Sequence, residues 1–208
     1  IGHAHMGGFG SIEGVAAAKA EIIAGLLPEG TAILNADDAR CAAMAELAPA
    51  RVLTFSAQGE PADLQAENVV LDEAACAAFD LHLPGLDAPR RVQLAVAGAH
   101  NVANALAAAG LALAAGLEPE LIAERLGSVS IESPHRMDVS ELSGDLLLID
   151  DSYNANIDSM TAALAALPAL AGSRRRVVVV SEMLELGESS AADHARTGEL
   201  AAQAGAAM

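Results

Sequence analysis

Aromatic residues are nearly missing from this 208-residue chain. It has one tyrosine, three phenylalanines and no tryptophan, so they make up only 2% of it. With 53% hydrophobic residues, its core must be built from Ala, Leu, Val and Ile, a composition that suits Ala-rich helices layered on aliphatic strands. Basic residues are scarce too. Eleven Lys and Arg stand against 28 Asp and Glu, giving a formal charge of -17, and Lys19 is the sole lysine. A nonspecific nucleic-acid binder displaces counterions with a basic surface, and docking on an anionic membrane needs the same, so both classes are excluded. A phosphorylated small ligand is not excluded, because it needs only a few local donors. Cys41 and Cys76 have no partners at metal-ligand spacing and read as two reduced thiols. The longest apolar stretch, Val102 to Leu117, is too short for a membrane span and carries Asn104 and two glycines. No signal peptide is visible, so a cytosolic protein without membrane insertion is expected.

The chain opens on Ile1-Gly2-His3-Ala4-His5, and Gly7, Gly8 and Gly10 make a loop. Ser11 is a helix N-cap for a run to about Leu26. Thr31 to Leu34 and Arg51 to Phe55 read as strands, with a helix capped by Asp37 or Asp38 between them. Residues 57 to 97 alternate in short runs punctuated by Gly and Pro, which indicates antiparallel strands. Helices follow at Asn101 to Ala115 and, with Pro119 in its first turn, just beyond. Past Arg136 the pattern predicts strands at Met137 to Leu142, Leu146 to Asp150 and Arg176 to Val180. Helices at Ser159 to Leu170 and Ala191 to Ala204 alternate with them, which implies a parallel sheet. A boundary is placed near residue 135, and both ends are expected to be truncated.

Five groups of residues are candidates for chemistry. Lys19 reads either as a solvated lysine beside Glu21 or as a shielded amine near His5, able to take up carbon dioxide as a carbamate. His3 and His5 form an H-x-H that is either a metal-binding pair or two loop histidines. Asn101 and Asn104 share a helix face at i, i+3, where either His100 or Asn101 caps the helix or a side-chain amide meets a nucleobase edge. Arg136, after Pro134 and His135, is a surface charge or a phosphate-reading guanidinium at a domain junction. Densest of all is Asp150-Asp-Ser-Tyr-Asn-Ala-Asn156, at the C-terminal end of an aliphatic strand, the edge where open α/β sheets bind ligands.

In order along the chain, these segments resemble the Mur ligases, and most closely the branch that adds D-alanyl-D-alanine to the cell-wall precursor. Residues 1–22 are similar to the family's metal-histidine and carbamylated-lysine segment. Asn35-Ala-Asp-Asp38, His100-Asn-Val-Ala-Asn-Ala-Leu106, Arg136-Met-Asp-Val139, Asp150 to Asn156 with Asp158-Ser-Met160, Met183-Leu-Glu-Leu-Gly-Glu188 and His194 also match it. The resemblance implies a partial central ATPase domain, with a mostly parallel sheet, helices and a small antiparallel part, over residues 1–135. The start of a Rossmann-like C-terminal ligase domain would follow over 136–208. It implies ATP and Mg²⁺ as cofactors, and UDP-N-acetylmuramoyl-tripeptide and D-alanyl-D-alanine as substrates, in a monomeric full-length parent. His5 and carbamylated Lys19 would hold the metal, with Arg136 at the ATP phosphates, and these three carry the catalytic role. Asn101 and Asn104 would sit at the adenine and Asp151 at the ribose, with Tyr153 and Asn156 lining the cleft.

The chain departs from the family pattern in several places. It has no G-x-x-G-K-[ST] phosphate loop, since Lys19 is its sole lysine, and no upstream metal carboxylate or UDP-sugar domain. The 208 residues alone are therefore expected to lack ligase activity. Gly7 stands where an acidic residue is usual, His3 and Ile157 where proline is, and Ser181 where glycine is. The rival readings are another ligase of the superfamily, muramyl or folylpolyglutamate, and a noncatalytic binding module derived from one.

Overall fold

The computed structural model describes residues 1–3, 6–129 and 133–207, with the side chain of Met6 excepted. The first strand, β1 (Thr31–Asn35), pairs in parallel with β2 (Arg51–Ser56), and β2 pairs in parallel with β3 (Leu64–Leu71). From there the sheet turns antiparallel through β4 (Cys76–His82) and β5 (Arg90–Ala97), in the spatial order β1-β2-β3-β4-β5. The antiparallel part is where the sequence alternates: along β4, Ala77, Phe79 and Leu81 are fully buried while their neighbours are not.

Helix α1 (Met6–Phe9) lies against α2 (Ile12–Ala24), and α2 and α3 (Ala39–Ala43) pack beside β1. Ser11 Oγ accepts the Gly14 N–H and starts α2, and Asp38 accepts the N–H groups of Arg40 and Cys41 to start α3. The helix expected through Leu47 tightens into a 3₁₀ turn from Met44 onward.

The main core lies between the sheet and helices α4 (Asn101–Ala114) and α5 (Pro119–Leu126). Leu53, Phe55, Leu64, Phe79, Leu81, Val92 and Leu94 meet Val102, Leu106 and Ala109 of α4 and Ile122 and Leu126 of α5. Small residues let α4 approach closely: a Cβ on Gly110 would stand 2.7 Å from Ile33 Cγ2.

Past residue 135, β6 (Asp138–Leu142) and β7 (Leu146–Asp150) form an antiparallel hairpin, followed by α6 (Ile157–Ala171) and α7 (Ser190–Gln203). The strand expected at Arg176 to Val180 does not form. Its sole bridge is Arg176 with Ala206, in parallel, and Val177, Val179 and Val180 are exposed. A β segment needs a ladder of backbone partners, which its apolar character cannot replace. The parallel sheet inferred for this half is correspondingly a two-stranded antiparallel one among the described residues.

The two halves pack on each other. Ala75 and Ala97 from the first join Met137, Ile149, Ala163, Ala166 and Leu170 from the second in a small core. The Gly7 N–H donates to the Glu185 carbonyl at 2.8 Å, and the His3 N–H to Asp158 Oδ2 at 2.8 Å.

Candidate functional site

Asn101 opens α4 and is buried. Its Nδ2 donates to the Ala97 carbonyl at 2.8 Å, fixing the helix start to the end of β5, and its Oδ1 accepts Asn104 Nδ2 at 2.9 Å. Neither His100 nor Asn101 makes a side-chain cap, so the amides are not spent on capping. Asn104, exposed one turn on, keeps its Oδ1 and one N–H without a partner among the described residues. That pair of free groups can meet the donor and acceptor of a base edge. Of the two, Asn101 is the orienter and Asn104 the group that can reach outward.

Beside this helix start is an open cavity of about 350 Å³, lined by Asn35, Asp37, Gln58, His100 and Ala103 among others. Asn101 and Asn104 do not line it. Asp37 is already committed, accepting the Ser56 hydroxyl and the Ala57 N–H, and so joins the ends of β1 and β2. Burial holds the His100 imidazole below its ordinary pKa against the opposing pull of Asp151. His100 thus links α4 electrostatically to the acidic end of β7.

At that end the two adjacent aspartates are used differently. Asp150 accepts the Ser152 N–H and hydroxyl on Oδ1 and faces His135 Nδ1 with Oδ2 at 2.7 Å. These bonds, His135 first, hold its carboxyl well below the ordinary range, at about 2. Asp151 accepts the Met137 N–H on Oδ1 at 3.0 Å, and its Oδ2 has no partner among the described residues. Arg136 is exposed, with its guanidinium carbon 4.2 Å from the centroid of the Tyr153 ring, which is 62% exposed. Cation–π attraction stations it there without consuming its five donors. Asn156 is the N-cap of α6: its Oδ1 accepts the Ser159 N–H, and Ser159 Oγ accepts the Asn156 N–H. Its first role is therefore to end the acidic loop and start the helix.

The structure brings Asp151, Tyr153 and Arg136 together, with Asn101 and Asn104 on the neighbouring α4. The metal candidates are not assembled in the same way. Lys19 is exposed on α2 and makes no hydrogen bond or ion pair among the described residues, and His5 lies outside them. His3 Nδ1 faces the Asp158 carboxylate at 3.3 Å. No group of three or more His, Cys, Asp or Glu side chains among the described residues could hold a metal ion. By themselves the described residues do not fit a Mg²⁺ centre. Two residues at the junction carry no site role in the sequence reading: His135, and His100, which reads there only as a helix cap and makes no cap bond. The signal was their position, each immediately before a residue that was singled out.

Comparison with known proteins defines the class. Residues 1–112 match the family model described as Mur ligase middle domain, and residues 135–208 match the one described as Mur ligase, glutamate ligase domain. The chain belongs to the Mur ligase family. Within that family it is 44% identical over 205 residues to the UDP-N-acetylmuramoyl-tripeptide--D-alanyl-D-alanine ligase of Mycobacterium bovis, covering 97% of this chain and 40% of that protein. Its structure is similar to that of MurF from Acinetobacter baumannii, at a TM-score of 0.85 and 37% identity, over 97% of this chain and 43% of that one. It is also similar to MurF ligase from Thermotoga maritima in complex with ADP, at a TM-score of 0.79 and 25% identity, over 97% and 44% of the two chains. The chain therefore spans 40% to 44% of the length of these relatives.

Proposed function

We propose that this chain is the nucleotide-facing segment of a ligase that adds D-alanyl-D-alanine to UDP-N-acetylmuramoyl-tripeptide at the expense of ATP. The observation that carries the reading is the end of β7, where Asp151 and Arg136 keep unspent polar groups beside Tyr153, with His100 at the start of α4 within electrostatic reach of Asp151. In this reading residues 1–135 are the central ATP-binding unit and 136–208 the start of the C-terminal ligase unit, in a monomeric cytoplasmic enzyme.

The overall reaction is carboxylate activation followed by aminolysis. The γ-phosphoryl group passes to the tripeptide's terminal carboxylate, releasing ADP. The amine of D-alanyl-D-alanine then attacks the acyl phosphate, forming the amide, and phosphate leaves with the bonding pair while the amine gives up its proton. Most of the catalysis in such a transfer is alignment and charge neutralisation. Asn104 would read the adenine edge, with Asn101 holding its amide in register. Asp151 Oδ2 would accept from a ribose hydroxyl. Arg136 would leave the Tyr153 ring for the phosphates, which its guanidinium matches in a bidentate way. Tyr153 would serve as its resting platform and Asn156 would close the loop beneath. The family resemblance assigns Mg²⁺ to His5 and a carbamylated Lys19, and no step here is routed through that ion.

The experiment is an amine-competition assay in a protein that carries this segment together with a complete phosphate loop. ADP release that depends on D-alanyl-D-alanine supports the reading. Release driven instead by a single amino acid would move the chain to another branch of the family. The 44% identity to the D-alanyl-D-alanine ligase of Mycobacterium bovis supports the first outcome.

A further inference from the structure

Arg136 is flanked by two residues in the left-handed backbone region, His135 at φ 63° and Met137 at φ 49°. Side chains rarely adopt that conformation, and it persists only where surrounding contacts impose it. Here the contacts are explicit. His135 is gripped twice by the end of β7: its Nδ1 faces Asp150 Oδ2 at 2.7 Å, and its carbonyl accepts the Tyr153 N–H at 3.0 Å. On the other side the Met137 N–H donates to Asp151 Oδ1 at 3.0 Å, and the Met137 side chain is buried in the small core between the halves.

We infer that His135 and Asp150 form a positioning pair, which clamps the backbone carrying Arg136 and so stations its guanidinium on Tyr153, facing the junction. The inference rests on the nucleotide reading for what Arg136 meets, but not for the clamp itself. Asp150 is suited to the task because both of its oxygens are engaged, Oδ1 by Ser152 and Oδ2 by His135. It is therefore an anchor, and the neighbouring Asp151, with Oδ2 free, is the ligand-facing acid. The charged groups around His135 are Asp150 and Asp151 from the end of β7 and Arg136 beside it, with His100 of the α4 start within electrostatic reach of Asp151.

The test uses the 208-residue chain with His135→Gly, Asp150→Asn and the two combined. Glycine adopts positive φ without penalty, so the first change removes the imidazole and spares the backbone. In the free chain, the Tyr153 ring-proton resonances of each variant are expected to move to the positions they take in Arg136→Ala, with no further movement in the double variant. His135→Asn tolerates the same backbone and keeps a short polar side chain near Asp150, and should restore part of the parent spectrum. Ring resonances that stay at the parent positions in both single variants would overturn the clamp. An ADP titration reads the second link. In a protein that carries this segment together with a complete phosphate loop, each single variant should bind ADP roughly three- to tenfold more weakly, with the double no worse than either, as expected of two groups acting as one unit. Should that protein not bind ADP while the ring resonances of the 208-residue chain still report the clamp, the nucleotide reading fails and the positioning pair stands.

Discussion

The Met183 N–H donates to Nε2 of His194 at 2.9 Å. The other ring nitrogen, Nδ1, lies 2.7 Å from the Ser190 carbonyl. A carbonyl can only accept, so the proton sits on Nδ1 and Nε2 is left to take the Met183 N–H. The imidazole therefore joins the first turn of α7 to the loop before it. Glu185 in that loop, at φ 60°, offers its carbonyl to the Gly7 N–H.

Replacing His194 with Ala removes both bonds and leaves the Met183 N–H unpaired. The expected cost is about 1–2 kcal/mol, seen as a lower denaturant midpoint. Amide exchange at Met183 and Gly7 should speed up together, because the loop connects them. Unchanged protection at both amides would show that the imidazole does not hold the loop.

Acid should leave the His135–Asp150 contact intact longer than most carboxylate contacts. The Asp150 carboxyl titrates at about 2, against an ordinary value of 3.8. A depressed folded-state value contributes stability that is fully present above the unfolded value and lost as pH falls through the folded one. The window of loss therefore lies between about 4 and about 2. A carbon-13 titration of the Asp150 carboxyl should give a midpoint near the bottom of that window, and His135→Ala should raise it. A midpoint in the usual carboxylate range in the parent chain would contradict the geometry.

Asn101 and Asn104 should separate on mutation. Asn104→Ala removes an exposed amide and one bond to Asn101 Oδ1, and is expected to weaken ADP binding about tenfold at a smaller cost in thermal stability than Asn101→Ala. Asn101→Ala removes a buried group bonded to Ala97 and Asn104, so stability and affinity should fall together. The assignment of roles is wrong if Asn101→Ala lowers affinity alone.

Lys19 is exposed and makes no hydrogen bond or ion pair among the described residues, while the family resemblance makes it a carbamate. In a protein carrying the phosphate loop as well, Lys19→Ala should reduce turnover severely, and added short-chain carboxylates should restore part of it by supplying an anionic oxygen. A rate equal to the parent's would remove Lys19 from the chemistry.

Local rules in the sequence located most of the elements. Ser11, Asp38 and Pro119 start the helices they were expected to start, and the alternation through residues 57–97 marks the antiparallel strands. These signals act over a few residues, where side-chain chemistry dictates the backbone. Arg176 to Val180 failed for the opposite reason: a valine-rich run has strand propensity, but a strand also needs distant backbone partners that no local pattern encodes. The same distinction holds at the site. Tyr153 stands out as the sole tyrosine and Asp151 as part of a dense run of acidic and amide residues after an aliphatic strand, and both signals are local. The His135–Asp150 contact and the Gly7–Glu185 bond join residues 15 and 178 positions apart, and only the fold reveals them.

Tyr153 is the sole tyrosine in a chain with no tryptophan. Its phenol is therefore the dominant source of ultraviolet emission in the molecule, and it lies against the guanidinium that the site would mobilise. Departure of Arg136, approach of a nucleotide or closure of the loop would each change the light from one ring with no competing indole. The junction carries its own built-in optical probe, and mixing experiments could follow it in real time without attaching a dye.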